Sequence, residues 1–577
     1  MLGRAILGLA MGCLIGLEVQ DSMNDANLRF PAVFFRRIRD GLVGFFSESS
    51  QPGALLVDHK AAQISGWQVV KLFIFVLSLV AMVRMAWVAD DAFIAFRAMD
   101  NFVHGHGLVS NVGVRAQAFT SPLWILLLSP FHRVIGDAYF TGIVVGFVMS
   151  AVVSGLLIFR VAEKARPMDA IAIGLMLPFS RGFAEFSTSG LENPLLHLLS
   201  ILFLLSYFRF EANGRFAVRL FLLAGLLFLT RMDTILLTAL PLIHYVVSVR
   251  GKKLWRFCSL GLVPVFIWEA YAIVYYGFPF PNTAYAKLNV LVPAGKLIMQ
   301  GVGYLLDGVA RDPLSIIVIV FTIVVALVSK NLRARLSMLG VLLYVAYVVN
   351  VGGDFMSGRF FTVCFVSSLV VLGALVLPSL PGRWSGAIAA VVGIIVLSAP
   401  YNPLRPVQEP CIVYEYGITD ERGCYAEHTA LQRNIHRDGK GWGYQRHDYY
   451  QAGVKKKEGD ETVYRDNLIG LGGYAAGPRI HIVDPSALTD PLLARIPFSK
   501  GGWRIGHFYR DVPEGYIESL RTGENQIKSA CVHEYYDKLY TVVSGPVFSL
   551  ERFKTVVAMN FGVYQYLLMP GCDEESR

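Results

Sequence analysis

Apolar runs near the length needed to cross a bilayer recur through the first 400 residues of the chain and then stop. They fall near 68–88, 139–159, 168–184, 193–208, 218–231, 234–249, 257–277, 313–329, 336–351, 360–379 and 385–400. Each is close to the about 20 residues a helix needs to span ~30 Å of hydrocarbon, so the pattern predicts a polytopic α-helical membrane protein of about 11 spans. The stretch 121–135 is too short and too broken by prolines to cross comfortably. It is read as a juxtamembrane helix lying along the outer surface.

The polar positions between the runs predict orientation. Alternate loops are basic: Arg160, Lys164 and Arg166; Arg209, Arg215 and Arg219; Arg250, Lys252, Lys253 and Arg256; Lys330, Arg333 and Arg335; then Arg383. Positively charged loops stay in the cytoplasm, and Arg36, Arg37, Arg39 and Lys71 ahead of the first run agree. The other loops and everything after about 402 are then outside. The apolar run 5–17 is not read as a cleaved signal, because cleavage would invert every later loop. Residues 1–66 are taken as a cytoplasmic extension, in which 29–47 either lies on the inner leaflet as an amphipathic segment or is unstructured.

Past 402 the apolar runs shorten and a tail of 176 residues begins, long enough to bury a core. Alternating segments at 479–483 and 540–543 predict strands, 470–473 a glycine-rich turn, and 488–495 a helix after the Asp484-Pro485 turn. The expectation is a soluble C-terminal α/β or α+β domain over 402–577, behind a membrane domain over 67–401. Four of the seven cysteines fall in the tail. Cys411 with Cys424 is the preferred disulfide and Cys531 with Cys572 the second, and no Cys/His grouping has zinc spacing.

Composition narrows the class. The chain has 577 residues, 54% hydrophobic and 16% charged, with a mean hydropathy of +0.50, which excludes an ordinary soluble protein. The net charge of +9 sits mainly in the basic loops. No basic stripe interleaved with stacking aromatics occurs, so nucleic acid is not a partner.

Charges on the other membrane face carry the chemistry. Asp90 and Asp91 follow the first span in ADDAFIAFRAMDNFVHGHGLVSN (89–111), and paired carboxylates at a membrane boundary need water, a cation or a substrate. Arg97, Arg115, Arg181, Arg231, Lys287 and Arg359 break the positive-inside pattern, with Glu185 and Glu192 among them. Any one alone reads as snorkelling or a local ion pair. Together they suit a phosphate-bearing lipid: guanidinium forks and a lysine hold phosphate, and carboxylates serve as general base or cation ligands.

Eight blocks carry a resemblance: 89–111, FSTSGLENPLLHLL (186–199), LTRMD (229–233), YYGFPFPNTAYAKL (275–288), VGGDFMSGRFF (351–361), YGITDERG (416–423), VDPSALTDPLLARIP (483–497) and WRIGHFYRDVPEGY (503–516). In this order they resemble the membrane arabinofuranosyltransferases of mycobacterial and corynebacterial cell walls, which add terminal arabinofuranose from decaprenylphosphoryl-arabinose. The resemblance implies a type C glycosyltransferase (GT-C) fold, with Asp90 and Asp91 as its catalytic motif and an outer, carbohydrate-binding tail. Lys287 and Arg359 map to basic positions expected on the donor phosphate, and Arg231 and Arg97 are further candidates. Glu192, Asn193, His104, His106, Asn282 and Asp354, within these blocks, are candidate substrate contacts.

The implied reaction moves D-arabinofuranose from a polyprenyl phosphate to a hydroxyl of a glycan or protein outside the cytoplasmic membrane. Asp90 is the first choice of base, with Asp91 second or as a cation ligand; a divalent cation (Mg, Mn or Ca) on the pair is the one candidate cofactor. If the product keeps the donor's configuration, one aspartate attacks the anomeric carbon instead. A related enzyme decorates type IV pilins, so arabinan and pilin are both expected acceptors. Two departures stand out: the N-terminal extension, and Glu269 inside the seventh span. The alternatives are another lipid-linked sugar, mannose or aminoarabinose, and a transporter with an outer sensory domain. Against transport, the charges cluster at span ends rather than at the midplane of repeated, broken helices.

Overall fold

The computed structural model describes residues 66–577, except 164, 252, 289, 291, 399–401, 405–410, 412, 414–416, 438, 440, 499–502, 570 and 573–577. These belong to one compact unit, Ser65–Arg577. The expected N-terminal extension, its segment 29–47 and Cys13 lie outside the described residues.

Every predicted span is helical. In chain order the helices are α1 (Gly66–Met85), α2 (Asp90–Val103), α3 (Pro122–Ile135), α4 (Ala138–Gly155), α5 (Pro167–Phe179), α6 (Arg181–Glu185), α7 (Asn193–Arg209), α8 (Gly214–Thr230) and α9 (Ile235–Val249). There follow α10 (Leu254–Gly261), α11 (Val263–Tyr275), α12 (Asn282–Leu288), α13 (Ala294–Arg311), α14 (Pro313–Val328), α15 (Leu332–Asn350), α16 (Phe361–Val371) and α17 (Arg383–Ser398). Among the described residues, five segments are long and apolar enough to cross a membrane, or seven if two bent pairs each count once. The expected eleven is therefore not reached on length and composition, although the chain is a multi-pass membrane protein.

The shortfall has local causes. The run at 168–184 is broken at Ser180, whose backbone is extended and whose hydroxyl accepts the Phe183 N–H at 3.1 Å, starting α6 afresh. The seventh run is split into α10 and α11, bent by 55°. A further helix, α13, meets α14 at 111°. Asp312 at that corner accepts the N–H of Ser315 and of Gly182, which fixes the bend.

The bundle packs closely where small residues allow it. A Cβ on Gly146 of α4 would lie 2.9 Å from the Ser187 carbonyl, and one on Gly174 of α5 as near to Ile74 of α1.

The tail is mainly helical: α18 (Glu421–Thr429), α19 (Asp448–Glu458), α20 (Leu471–Ala476), α21 (Tyr516–Thr522), α22 (Ala530–Val543) and α23 (Leu550–Asn560). Its two strands, β1 (Val463–Arg465) and β2 (His481–Val483), pair in parallel with Val463 opposite His481. The strand expected at 479–483 is present, whereas the one expected at 540–543 is not. Those residues end α22, whose buried Tyr535, Tyr536, Leu539, Val542 and Val543 recur at helical spacing; four alternating residues were too short a window.

The helix expected at 488–495 is a run of turns instead. Asp484 accepts the N–H groups of Ser486, Leu488 and Thr489, and Asp490 those of Leu492 and Leu493. Side-chain bonds of this kind compete with a helix for the backbone. The glycines at 470–473 do not make a free turn either, since α20 starts among them. Both expected disulfides, Cys411–Cys424 and Cys531–Cys572, are formed.

The tail is built onto loops at one end of the bundle. Leu431 N–H bonds Ala86 O at 2.9 Å, Arg422 reaches Met85 O at 3.1 Å, and Thr419 N–H bonds Phe355 O at 2.7 Å. Arg115 N–H bonds Val543 O at 2.9 Å, and Arg552 holds Val274 O and Tyr275 O. These loops alternate along the chain with the Lys/Arg-rich ones.

Candidate active site

The site starts at the first turn of α2. Ala89 is extended, and its N–H bonds Ser189 O at 2.9 Å, so the helix begins against the 186–192 loop. Gly190 in that loop has φ +79°, and a Cβ there would meet Ala92 at 2.8 Å and Phe96 at 2.9 Å. Only glycine gives both the left-handed backbone and the close approach. Asp90 and Asp91 thus stand at the positive end of a helix dipole, which favours carboxylates.

The two aspartates face different surroundings. Asp90 Oδ1 accepts the Leu471 N–H at 2.8 Å, and a Cβ on Gly470 would fall 2.3 Å from its other oxygen. The tail therefore covers Asp90. Burial raises its carboxyl to about 7, against the pull of the Leu471 bond. Asp91 is raised by burial too, but its field is that of a charged cluster: Arg359, His507 and Lys287 favour the anion and Asp354 opposes it.

Arg359 links this cluster to the bundle. It pairs with Glu192 at 3.1 Å and Asp354 at 3.5 Å, and Glu192 also pairs with Arg231 at 3.3 Å. Burial works against ionising Glu192, but Arg359 and Arg231 outweigh it and hold the carboxyl below its ordinary range. Asn193 positions this turn, donating to the Arg359 carbonyl at 3.3 Å and to Thr362 Oγ1 at 2.9 Å. Lys287 is exposed at the last turn of α12.

The tail supplies residues that the spans could not announce. His507 packs edge-on against Phe355 at 4.8 Å, and burial with Arg504 nearby lowers its imidazole below the usual value. Arg504 donates to the Gly417 carbonyl at 2.6 Å and lies 3.9 Å from Glu421. Glu421 is pushed well above the carboxylate range by burial and by Asp91. These residues lie in the YGITDERG and WRIGHFYRDVPEGY blocks; nothing in their spacing assigns them a role, since the cluster forms only when the tail folds back.

Other candidates are placed elsewhere. Arg97 is buried against the carbonyls of Ile480 at 2.5 Å and Gly477 at 3.4 Å, tying α2 to the turn before β2. His104 and His106 are exposed beyond the far end of α2, about 20 Å along the axis from Asp91 at 1.5 Å per residue. Asn282 spends its amide on the carbonyls of Ala487, Leu488 and Asp490, at 3.0, 3.2 and 3.0 Å. Arg181 and Glu185 form a buried network with Asp420, which Arg311 also joins at 2.9 Å.

Among the described residues no group of three or more His, Cys, Asp or Glu side chains could hold a metal ion. Asp90 and Asp91 offer two carboxylates, of which one is engaged by the tail backbone.

No protein-family model matches the chain. Two relatives share the name terminal beta-(1->2)-arabinofuranosyltransferase. The one from Mycobacterium tuberculosis is 27% identical over 402 residues, 59% of this chain and 63% of that protein, so the chain spans a little under two thirds of its length. The one from Corynebacterium glutamicum is 24% identical over 511 residues, 73% of this chain and 72% of that protein. ArnT from Cupriavidus metallidurans, solved bound to undecaprenyl phosphate, is 15% identical with a TM-score of 0.40, covering 75% of this chain and 78% of its own. The resemblance carried by the motifs is borne out across most of the chain.

Proposed function

We propose that this protein is a GT-C-type glycosyltransferase that moves a pentofuranose, D-arabinofuranose, from a polyprenyl phosphate to an acceptor hydroxyl on the outer side of the cytoplasmic membrane. The observation that carries this reading is the Asp91 carboxylate set among Arg359, Lys287 and His507. It sits at the end of the bundle where the tail packs, away from the Lys/Arg-rich loops. The two arabinofuranosyltransferase relatives support the sugar. A glycan is the acceptor class favoured by the terminal beta-(1->2) linkage in their names, with pilin as the alternative.

The sugar's anomeric carbon lies beside the phosphate it leaves, and the phosphate lies beside Lys287 and Arg359. Asp91, in that same cluster, is therefore better placed than Asp90 to act as base. It takes the acceptor hydroxyl proton while the new glycosidic C–O bond forms and the bond to phosphate oxygen breaks. The departing polyprenyl phosphate carries away the bond's electron pair, and the cations stabilise that charge as it grows. Asp90, bonded to Leu471, keeps the tail closed over the pair.

The test is transfer by the purified full-length protein. Radiolabelled polyprenylphosphoryl-arabinose is supplied with an arabinan acceptor, and polyprenylphosphoryl-mannose in parallel. Label on the acceptor from the arabinose donor alone is the expected result. Transfer from the mannose donor alone would replace the sugar, and no transfer from either would sink the enzymatic reading.

A further inference from the structure

Two guanidiniums meet at one buried carboxylate. Glu192 Oε1 is 3.3 Å from Arg231 Nη1 and 3.1 Å from Arg359 Nη2, and its other oxygen is 3.3 Å from the same Nη2. Its side chain is 4% exposed, against 10% and 12% for the arginines. Asp233 takes the far side of Arg231, with Nε at 3.1 Å from Oδ1, and Asp354 lies on Arg359. Carboxylates thus outnumber guanidiniums three to two in this cluster. A donor phosphate brought to Arg359 does not meet a bare cation; it meets one already neutralised.

The geometry points to Glu192 as a positioning residue that acts as an exchangeable counter-ion, holding the guanidinium faces that phosphate oxygens take and limiting how tightly polyprenyl phosphate is bound. This rests on the reading of the site given above. The reaction makes the limit useful. The donor is a phosphodiester with one negative charge, whereas the released lipid is a monoester with more. Unopposed guanidiniums would bind the product better than the substrate, and tight binding of either ground state does not raise turnover. The Glu192 side chain turns aside for the phosphate and returns to the arginines as the lipid leaves, while its loop, anchored to α2 through the Ala89–Ser189 bond, keeps its backbone in place.

The roles separate by direction. A residue that merely ordered the arginines would weaken phosphate binding when removed; a competing counter-ion strengthens it. Decaprenyl phosphate without sugar is titrated calorimetrically into the full-length protein in detergent, as wild type, Glu192→Gln and Glu192→Asp, each checked by thermal melting. Glu192→Gln is expected to bind about tenfold tighter or more, the scale of one charge-assisted contact. Donor KM and kcat should fall together as release slows. Glu192→Asp, too short to span both guanidiniums, should tighten binding less. Unchanged or weaker binding in whichever variant folds would overturn the inference alone. A wild type that does not bind decaprenyl phosphate overturns the inference and the donor assignment together.

Discussion

Asp90 Oδ1 accepts the backbone N–H of Leu471, 381 residues further along the chain, at 2.8 Å. The first carboxylate of the pair is thereby a joint between bundle and tail, and the second, Asp91, is left to the charged cluster.

That division predicts opposite phenotypes. Asp91→Asn should melt like the wild type and lose turnover by a factor of about 10² to 10⁴, the range for a positioned acid-base group. Asp90→Ala strands a covered N–H and should cost about 1–3 kcal/mol of stability. Melting curves and initial rates on both variants decide it. Should Asp90→Asn abolish turnover while Asp91→Asn keeps it, the base is Asp90.

Lys287 and Arg359 differ in what else they hold. Lys287→Ala removes an exposed cation and should weaken donor binding about tenfold to a hundredfold, leaving the melt and the acceptor constant unchanged. Arg359→Ala also strands Asp354 and leaves Glu192 to Arg231 alone, and unpairing a buried ion pair costs about 3–5 kcal/mol. The second variant should therefore melt lower as well as bind donor poorly. A raised acceptor constant with an unchanged donor constant in Lys287→Ala would move that lysine to the acceptor side.

Much of this was legible because one-dimensional patterns report local physics. Apolar runs located a helix at each of eleven segments, and the exceptions to the positive-inside pattern led to Asp91, Glu192, Arg231 and Arg359 in a connected charge cluster. What stayed hidden depends on long-range closure. Arg97 and Asn282 looked like site residues because they are polar and near motifs, yet both are consumed by backbone carbonyls of the tail. His507 and Glu421 reach the cluster through long-range contacts of the tail, Thr419 to Phe355 and Arg422 to Met85 among them, which no local spacing announces. The turns at 488–495 escaped because the sequence pattern places Asp484 in a turn before a helix and Asp490 within it, whereas the two carboxylates accept five N–H groups.

Those same carboxyls set a pH dependence. Burial raises Asp90 from 3.8 to about 7, Asp484 to about 7 and Asp490 to about 6. At pH 5.5 these three carboxyls hold protons in the folded state that the unfolded chain has released, so their share of the stability falls as pH rises through about 4 to 7, while His481 and His507, lowered by burial, work the other way. The Asp484 share is isolated by comparing wild type with Asp484→Asn: the melting temperature of wild type relative to the variant should fall between pH 5 and pH 7.5. A difference that stays constant over that range would show that Asp484 is ionised in the folded protein.

The sidedness of the site is testable without any substrate. The tail bonds to the loops beginning at Met85, Asn111, Val274 and Val351, and to none of the basic loops through the contacts described above. If Arg160, Arg166, Arg250 and Arg333 mark the cytoplasmic end, the tail is outside. Alkaline phosphatase joined after Arg577 should then be active, and the same enzyme inserted in the loop at Arg250 inactive. The cysteines add an independent readout, because Cys411–Cys424 and Cys531–Cys572 persist in an oxidising compartment. A thiol reagent applied to intact cells should leave all four unlabelled until a reductant is added. An active phosphatase at Arg250, or tail cysteines that label without reduction, would put the tail and the Asp90–Asp91 pair on the cytoplasmic face, and the acceptor would then have to be a cytoplasmic molecule.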